Sequence, residues 1–165
     1  MSYKLVIFDL DDTLIHEGFS DNILCDDTEY VLKRLKELKI PIVLATHNHE
    51  AHRILAQIHI RNSKSNMFFD TIFAYHDYTN KKSHLTKIIE QYSSISPSEM
   101  LFFDDLGKNI ITATKLGITG HLVNYTTGIT RKDLELYFPE YTYYNLLYYH
   151  HKQMSHSHIL SKTFI

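Results

Sequence analysis

Cysteine is nearly missing from the 165 residues: Cys25 is the single one, so no internal disulfide forms, and a reducing, cytoplasmic setting is expected. Three prolines and five glycines build no Gly/Ser/Pro-rich linker, and no segment repeats. No apolar run approaches the roughly 20 residues that a membrane-spanning helix needs. The start, MSYKLVIFDLDD, meets acid before a signal-peptide core could form, so no membrane partner is expected. An excess of one charge is missing too. The 17 basic and 19 acidic side chains leave a formal charge of -2, with no polyelectrolyte signal for nucleic acid. What is present is 44% hydrophobic residues in a chain long enough for one compact domain, burying about two-thirds of its unfolded surface.

Short apolar runs recur, each followed by a polar segment with helical spacing, which is the pattern of a parallel sheet covered by helices. Strands are predicted over 4–10, 41–46, 71–75, 100–104 and 121–124, and helices over 27–39, 50–59, 82–92, 107–116 and 130–137. Continuous runs such as IPIVLAT and MLFFDD suit strands buried on both faces, because a one-sided strand would alternate. Ligands gather at the carboxyl ends of such strands.

Residues 141–165 differ in composition, being rich in Tyr and His. Tyr144, Leu147, Tyr148 and His151 fall at helical spacing and predict a last amphipathic helix, a candidate contact surface for an oligomer. His150, His151, His156 and His158 offer imidazoles for a transition metal, but the favoured reading is a solvated tail, since no acidic or cysteine ligand accompanies them.

The first chemical motif is KLVIFDLDDTLIH, where Asp9 and Asp11 stand two residues apart past a strand end. Two carboxylates held this close stay ionised together only with a cation between them; otherwise one takes up a proton. A calcium loop starting at Asp9 fails, because its glycine position is Leu14 and its bidentate glutamate position is Ser20. The second pair, Asp104 and Asp105 in LFFDDLGKN, again follows an apolar strand and precedes a helix. Two acidic pairs delivered to one sheet edge make a hard-oxygen metal site of the kind Mg²⁺ occupies. Thr46 in IVLATHN places a hydroxyl at the end of another strand, where it and nearby backbone N–H groups can hold a phosphate oxygen. Lys81 or Lys82 in TNKKSHL can cancel charge on a phosphoryl group over the same edge.

In order, Asp-x-Asp-x-Thr, Thr, Lys and Asp-Asp resemble the four motifs of the haloacid dehalogenase-like (HAD) superfamily of phosphohydrolases, over the chain up to about Tyr137. KKSHL, PSEMLFFDDLGKNI and KLGITGHLVN look like segments of its small magnesium-dependent phosphatases. There the lysine precedes a His-hydrophobic pair by three residues, which selects Lys81, as His84 and Leu85 follow; an ungapped count back from Asp104 selects Lys82. The resemblance implies a Rossmann-like three-layer α/β sandwich with a central parallel sheet of about five strands, spanning residues 1–140, with 141–165 as a C-terminal helix and tail. It implies a Mg²⁺-dependent phosphomonoester hydrolase in which Asp9 forms an aspartyl-phosphate and Asp11 is the general acid and base. Metal ligands would be Asp9, Asp11, Asp105 and, through water, Asp104. Thr46 and the lysine would clamp the phosphate, with Leu10, His47 and Asn48 as further contacts, and Asp12 would be a turn residue.

The spans 13–46 and 46–81 are too short for the cap domains of larger relatives. An open site implies a bulky phosphate ester such as a phosphoprotein, or closure by an oligomeric neighbour. The 19–25 flap and the His47-Asn48-His49 segment are the candidate substrate contacts. The competing readings are a nucleic-acid 3′-end phosphatase, a sugar-phosphate phosphatase, and a non-catalytic phosphoacceptor or inactive binding module. The missing basic stripe weighs against the first. The order of the acidic pair and the retention of Asp9 and Asp11 weigh against the non-enzymes.

Overall fold

The computed structural model describes residues 3–16, 23–60, 63–76 and 80–139. Five parallel strands form its centre: β1 (Leu5–Phe8), β2 (Ile42–Thr46), β5 (Thr71–Ala74), β6 (Met100–Asp104) and β7 (Thr119–Leu122), in the order β5-β2-β1-β6-β7. Val6 lies opposite Ile42 on one side and Leu101 on the other, so β1 is the middle strand. Its four residues are all buried, because both faces of the sheet are covered.

The period of two along a strand sorts these residues into two layers. Leu5 and Ile7 join Leu85 and Ile88 of α3 (Lys82–Gln91) and Ala113 of α4 (Gly107–Lys115). Val6 and Phe8 join Val31, Leu32 and Leu35 of α1 (Thr28–Glu37), Ile54 and Leu55 of α2 (Ala51–Gln57), and Leu134 of α5 (Arg131–Glu135). Each such side chain contributes about 1.5–3 kcal/mol on burial. The result is the expected three-layer α/β sandwich, and among the described residues neither connection holds a cap domain.

Three differences from expectation have physical reasons. β7 begins two residues earlier than predicted, at Thr119 instead of 121, because Gly117 (φ 82) closes α4 in a left-handed turn and releases the chain at once. Gly120 then lies so close under α4 that a Cβ there would meet Ile110 Cγ2 at 2.8 Å. Second, α2 stops at Gln57, and a short antiparallel hairpin, β3 (His59–Ile60) with β4 (Ser63–Lys64), takes the end of the predicted helix. Third, α5 starts at Arg131 and not at the predicted 130, because Thr130 is its N-cap and exchanges hydrogen bonds with Asp133 in a capping box; it ends at Glu135.

Past β1, the chain turns so that Ile15 bridges to Leu24, and the Cys25 N–H donates to the Leu14 carbonyl at 3.0 Å. This is the stem of the flap. Its tip, Phe19 included, lies outside the described residues, as does the whole of 141–165 with its histidines.

Candidate active site

The carboxyl ends of β1, β2 and β6 and the start of α3 converge on a cavity of about 300 Å³, lined by Asp9, Asp11, Asp12, Thr46, His47, Lys81, Asp105, Leu106 and Asn109. Asp9 sits at its floor. The Asp9 N–H continues the sheet ladder to the Phe103 carbonyl at 2.9 Å, and the residue is 6% exposed. Lys81 Nζ donates to Asp9 Oδ1 at 2.5 Å and to the Ala45 carbonyl at 2.7 Å. An ammonium has three hydrogens, so one remains for an incoming anion.

The backbone entering α3 explains why Lys81, 1% exposed, reaches inward. Asn80 (φ 49) and Lys81 (φ 66) are consecutive left-handed residues, neither of them glycine, and such strain collects where a function over-determines the geometry. Lys82, the first residue of the helix, is exposed. The structure thus brings Lys81 to the aspartates and leaves Lys82 outside.

Thr46 ends β2 and is 1% exposed. Its hydroxyl accepts from the Asn48 N–H at 3.0 Å, and its carbonyl lies 3.0 Å from His84 Nε2. A carbonyl only accepts, so that imidazole nitrogen carries the hydrogen. His84 in turn stacks on Tyr75, with ring centroids 4.0 Å apart, and His47 stacks on His76 at the cavity wall. Leu10 is fully buried in the core, so phosphate contact there is left to its main chain. His49 is exposed beside Glu50 and does not line the cavity. Asp12 takes the expected turn conformation (φ 53), yet it also lines the cavity.

Asp104 and Asp105 end β6. Asp104 is fully buried; Asn109 Nδ2 donates to both its oxygens at 2.9 Å, and the Leu106 N–H donates to Oδ1 at 2.8 Å. Burial, and next the charge of Asp9, push its carboxyl up to about 7. Burial and Asp9 likewise push Asp105 up to about 6. Carboxylates so displaced are short of positive charge.

Asp9, Asp104 and Asp105 each offer an oxygen, all within 4.8 Å of one another, the one such cluster among the described residues. Beside them the buried Asn109 Oδ1 has no hydrogen-bond donor. Hard oxygens, excess negative charge and an unmatched acceptor fit a small hydrated divalent cation.

Asp11 stands apart: its Oδ1 accepts from Asn48 Nδ2 at 3.0 Å, and its carboxylate is not part of that cluster. Neither this bond nor the support of Thr46 by His84 was foreseen from the sequence, where Asn48 was a phosphate contact and His84 only a spacing marker. No local pattern signals a contact between residues 37 positions apart.

The Acid Phosphatase family matches residues 20–142, which is 123 of the 165 residues. The match begins beyond Asp9 and Asp11 and takes in Thr46, Lys81, Asp104 and Asp105. No curated protein matches. Among solved structures, an Ehrlichia chaffeensis HAD-superfamily hydrolase shares the fold with a TM-score of 0.63 and 16% identity, over 83% of this chain and 96% of its own. The magnesium- and phosphate-complexed D,D-heptose 1,7-bisphosphate phosphatase of B. bronchiseptica follows at 0.60 and 20%, over 81% and 86%. The N-terminal, phosphatase-containing part of a Bacteroides fragilis protein, complexed with Mg, gives 0.62 and 19%; 82% of this chain corresponds to 40% of that one. The fold is that of solved HAD-superfamily hydrolases, and the family match makes the chain a phosphatase. Within that class, the chain belongs to the acid phosphatase family.

Proposed function

We propose that the chain is a Mg²⁺-dependent phosphomonoester hydrolase that works through an aspartyl-phosphate on Asp9, with Asp11 as general acid and base. The observation that carries this reading is the meeting of Asp9, Asp11, Thr46, Lys81 and Asp105 around one cavity. Asp9 is the carboxylate next to the ammonium of Lys81 and so the nucleophile. An Asp9 oxygen bonds to phosphorus as the ester bond breaks, and Asp11 gives its proton to the departing oxygen. Asp11 then takes a proton from the water that attacks the aspartyl-phosphate, freeing phosphate and restoring Asp9. Lys81, with its remaining hydrogen, and Thr46 hold the phosphate oxygens.

Mg²⁺ would be held by Asp9, the main-chain carbonyl of Asp11, Asp105 and, through water, Asp104, and its charge would offset the repulsion between phosphate and carboxylates. Two solved structures of the same fold carry magnesium, which supports that choice of cation.

An uncapped cavity favours a bulky substrate, and we read this as a phosphoprotein, phosphotyrosine-like ester. A cytoplasmic setting belongs to the same reading: the single cysteine is buried, and that burial pushes its thiol up to about 12. Hydrolysis of 4-nitrophenyl phosphate, with Mg²⁺ and with EDTA, is the direct test. Activity should need the metal and should fall at least ~10³-fold in Asp9→Asn. Equal rates in parent and variant overturn the reading. Phosphotyrosine peptides, sugar phosphates and 3′-phosphorylated oligonucleotides then separate the substrate classes.

A further inference from the structure

We propose that Asn48 is the positioning residue of the acid/base Asp11, an inference that rests on the role given to Asp11 above. Asn48 lies two residues beyond Thr46, in the turn leading from β2 to α2. Three of its groups are committed inside the protein. Its N–H donates to Thr46 Oγ1, its Oδ1 accepts from the Glu50 N–H and its Nδ2 donates to Asp11 Oδ1, each at 3.0 Å.

These partners fix which end of the amide faces which neighbour. The Glu50 N–H can only donate, so the amide oxygen must face it, and the amide nitrogen must then face Asp11. A side chain whose amide oxygen is held by the Glu50 N–H, on a turn pinned by the Asn48 N–H to Thr46 Oγ1, presents a preset donor to the carboxylate. Asp11 Oδ1 is thereby held, which sets the plane of the carboxyl group that transfers the proton.

In the first step an Asp9 oxygen forms the new P–O bond while the bond from phosphorus to the leaving oxygen breaks, its electron pair staying with that oxygen. The carboxyl O–H bond of Asp11 breaks, the proton passes to the leaving oxygen, and Asp11 is left as a carboxylate. A mis-set carboxyl plane therefore penalises esters whose leaving oxygen needs that proton and spares those whose leaving group departs as an anion. The same turn carries Thr46, so the phosphate clamp and the proton donor are set by one short segment.

The test compares kcat/KM for 4-nitrophenyl phosphate and for a simple alkyl phosphate, in Mg²⁺, in the parent, Asn48→Asp, Asn48→Ala and Asp11→Asn proteins. Asn48→Asp keeps an acceptor for the Glu50 N–H while removing the donor to Asp11, so it preserves the turn if Asn48→Ala unfolds. The expected result in the Asn48 variants is a fall on the alkyl ester at least ~10-fold larger than the fall on the nitrophenyl ester. Asp11→Asn should discriminate in the same direction and more strongly. Equal losses on both esters in the Asn48 variants, with Asp11→Asn discriminating, overturn the positioning role and leave the acid/base role standing. Absence of discrimination in Asp11→Asn removes the acid/base role itself.

Discussion

Lys81 and Lys82 are adjacent, chemically identical and equally compatible with a spacing argument, yet their environments differ completely. Lys81 is buried against Asp9 and the Ala45 carbonyl, whereas Lys82 is exposed. Removing one partner from a buried ion pair leaves a charge uncompensated and costs roughly 3–5 kcal/mol; here Asp104 and Asp105 add to the uncompensated charge. Lys81→Ala should therefore lose both activity and several kcal/mol of stability. Lys82→Ala should stay within about 0.5 kcal/mol of the parent in urea denaturation. Similar losses in the two variants would mean that the buried contact is worth little. The sequence left this pair undecided because NKK offers no glycine to advertise the left-handed turn that sends the first lysine inward.

At the scale of elements, the segment after β7 clamps the loop that carries Asp9 and Asp11. The Ile129 N–H donates to the Thr13 carbonyl at 2.8 Å, and Gly128 (φ 65) packs against the flap stem. A Cβ at Gly128 would lie 2.2 Å from Cys25 Sγ and 2.8 Å from the Thr13 carbonyl oxygen. Overpacking and positive φ act together, so Gly128→Ala should lower stability by about 2–4 kcal/mol in chemical denaturation. Adding Cys25→Ala should recover part of that loss, because it removes one of the clashing atoms; no recovery would assign the loss to the backbone. The buried strands were legible because LVIF, IVLAT and MLFFD are continuous apolar runs. TGHL of β7 was displaced in the prediction because an edge strand, half exposed, carries no such run.

For the whole molecule, the raised carboxyls couple folding to pH. Asp104 and Asp105 bind protons more tightly folded than unfolded, where carboxyls titrate near the usual 3.8. Their stabilising contribution is therefore present below that value and is lost as pH rises through about 6 and 7. In EDTA, Tm should fall between pH 5 and pH 8 on account of these groups. Mg²⁺ should restore it, and by more at pH 8 than at pH 5, where protons compete for the same oxygens. A Tm in EDTA that rises over this interval, with no response to Mg²⁺, would show that the cluster is not starved of positive charge. No described helix is long and apolar enough to cross a membrane.

The sequence by itself determined the layering and the address of the site. Continuous apolar strands alternating with helical segments give a parallel, helix-covered sheet, and residues placed just past the ends of its strands fall on one sheet edge. Asp9, Asp11, Thr46, Asp104 and Asp105 were readable for that reason, since each is fixed by its offset from a strand. Only the tertiary structure decided what depends on contact across the chain. Two left-handed residues chose Lys81, the amide of Asn48 reached Asp11, and His84 came under Thr46. Side-chain direction and hydrogen-bond partners at long separation are set by packing, which no local spacing encodes.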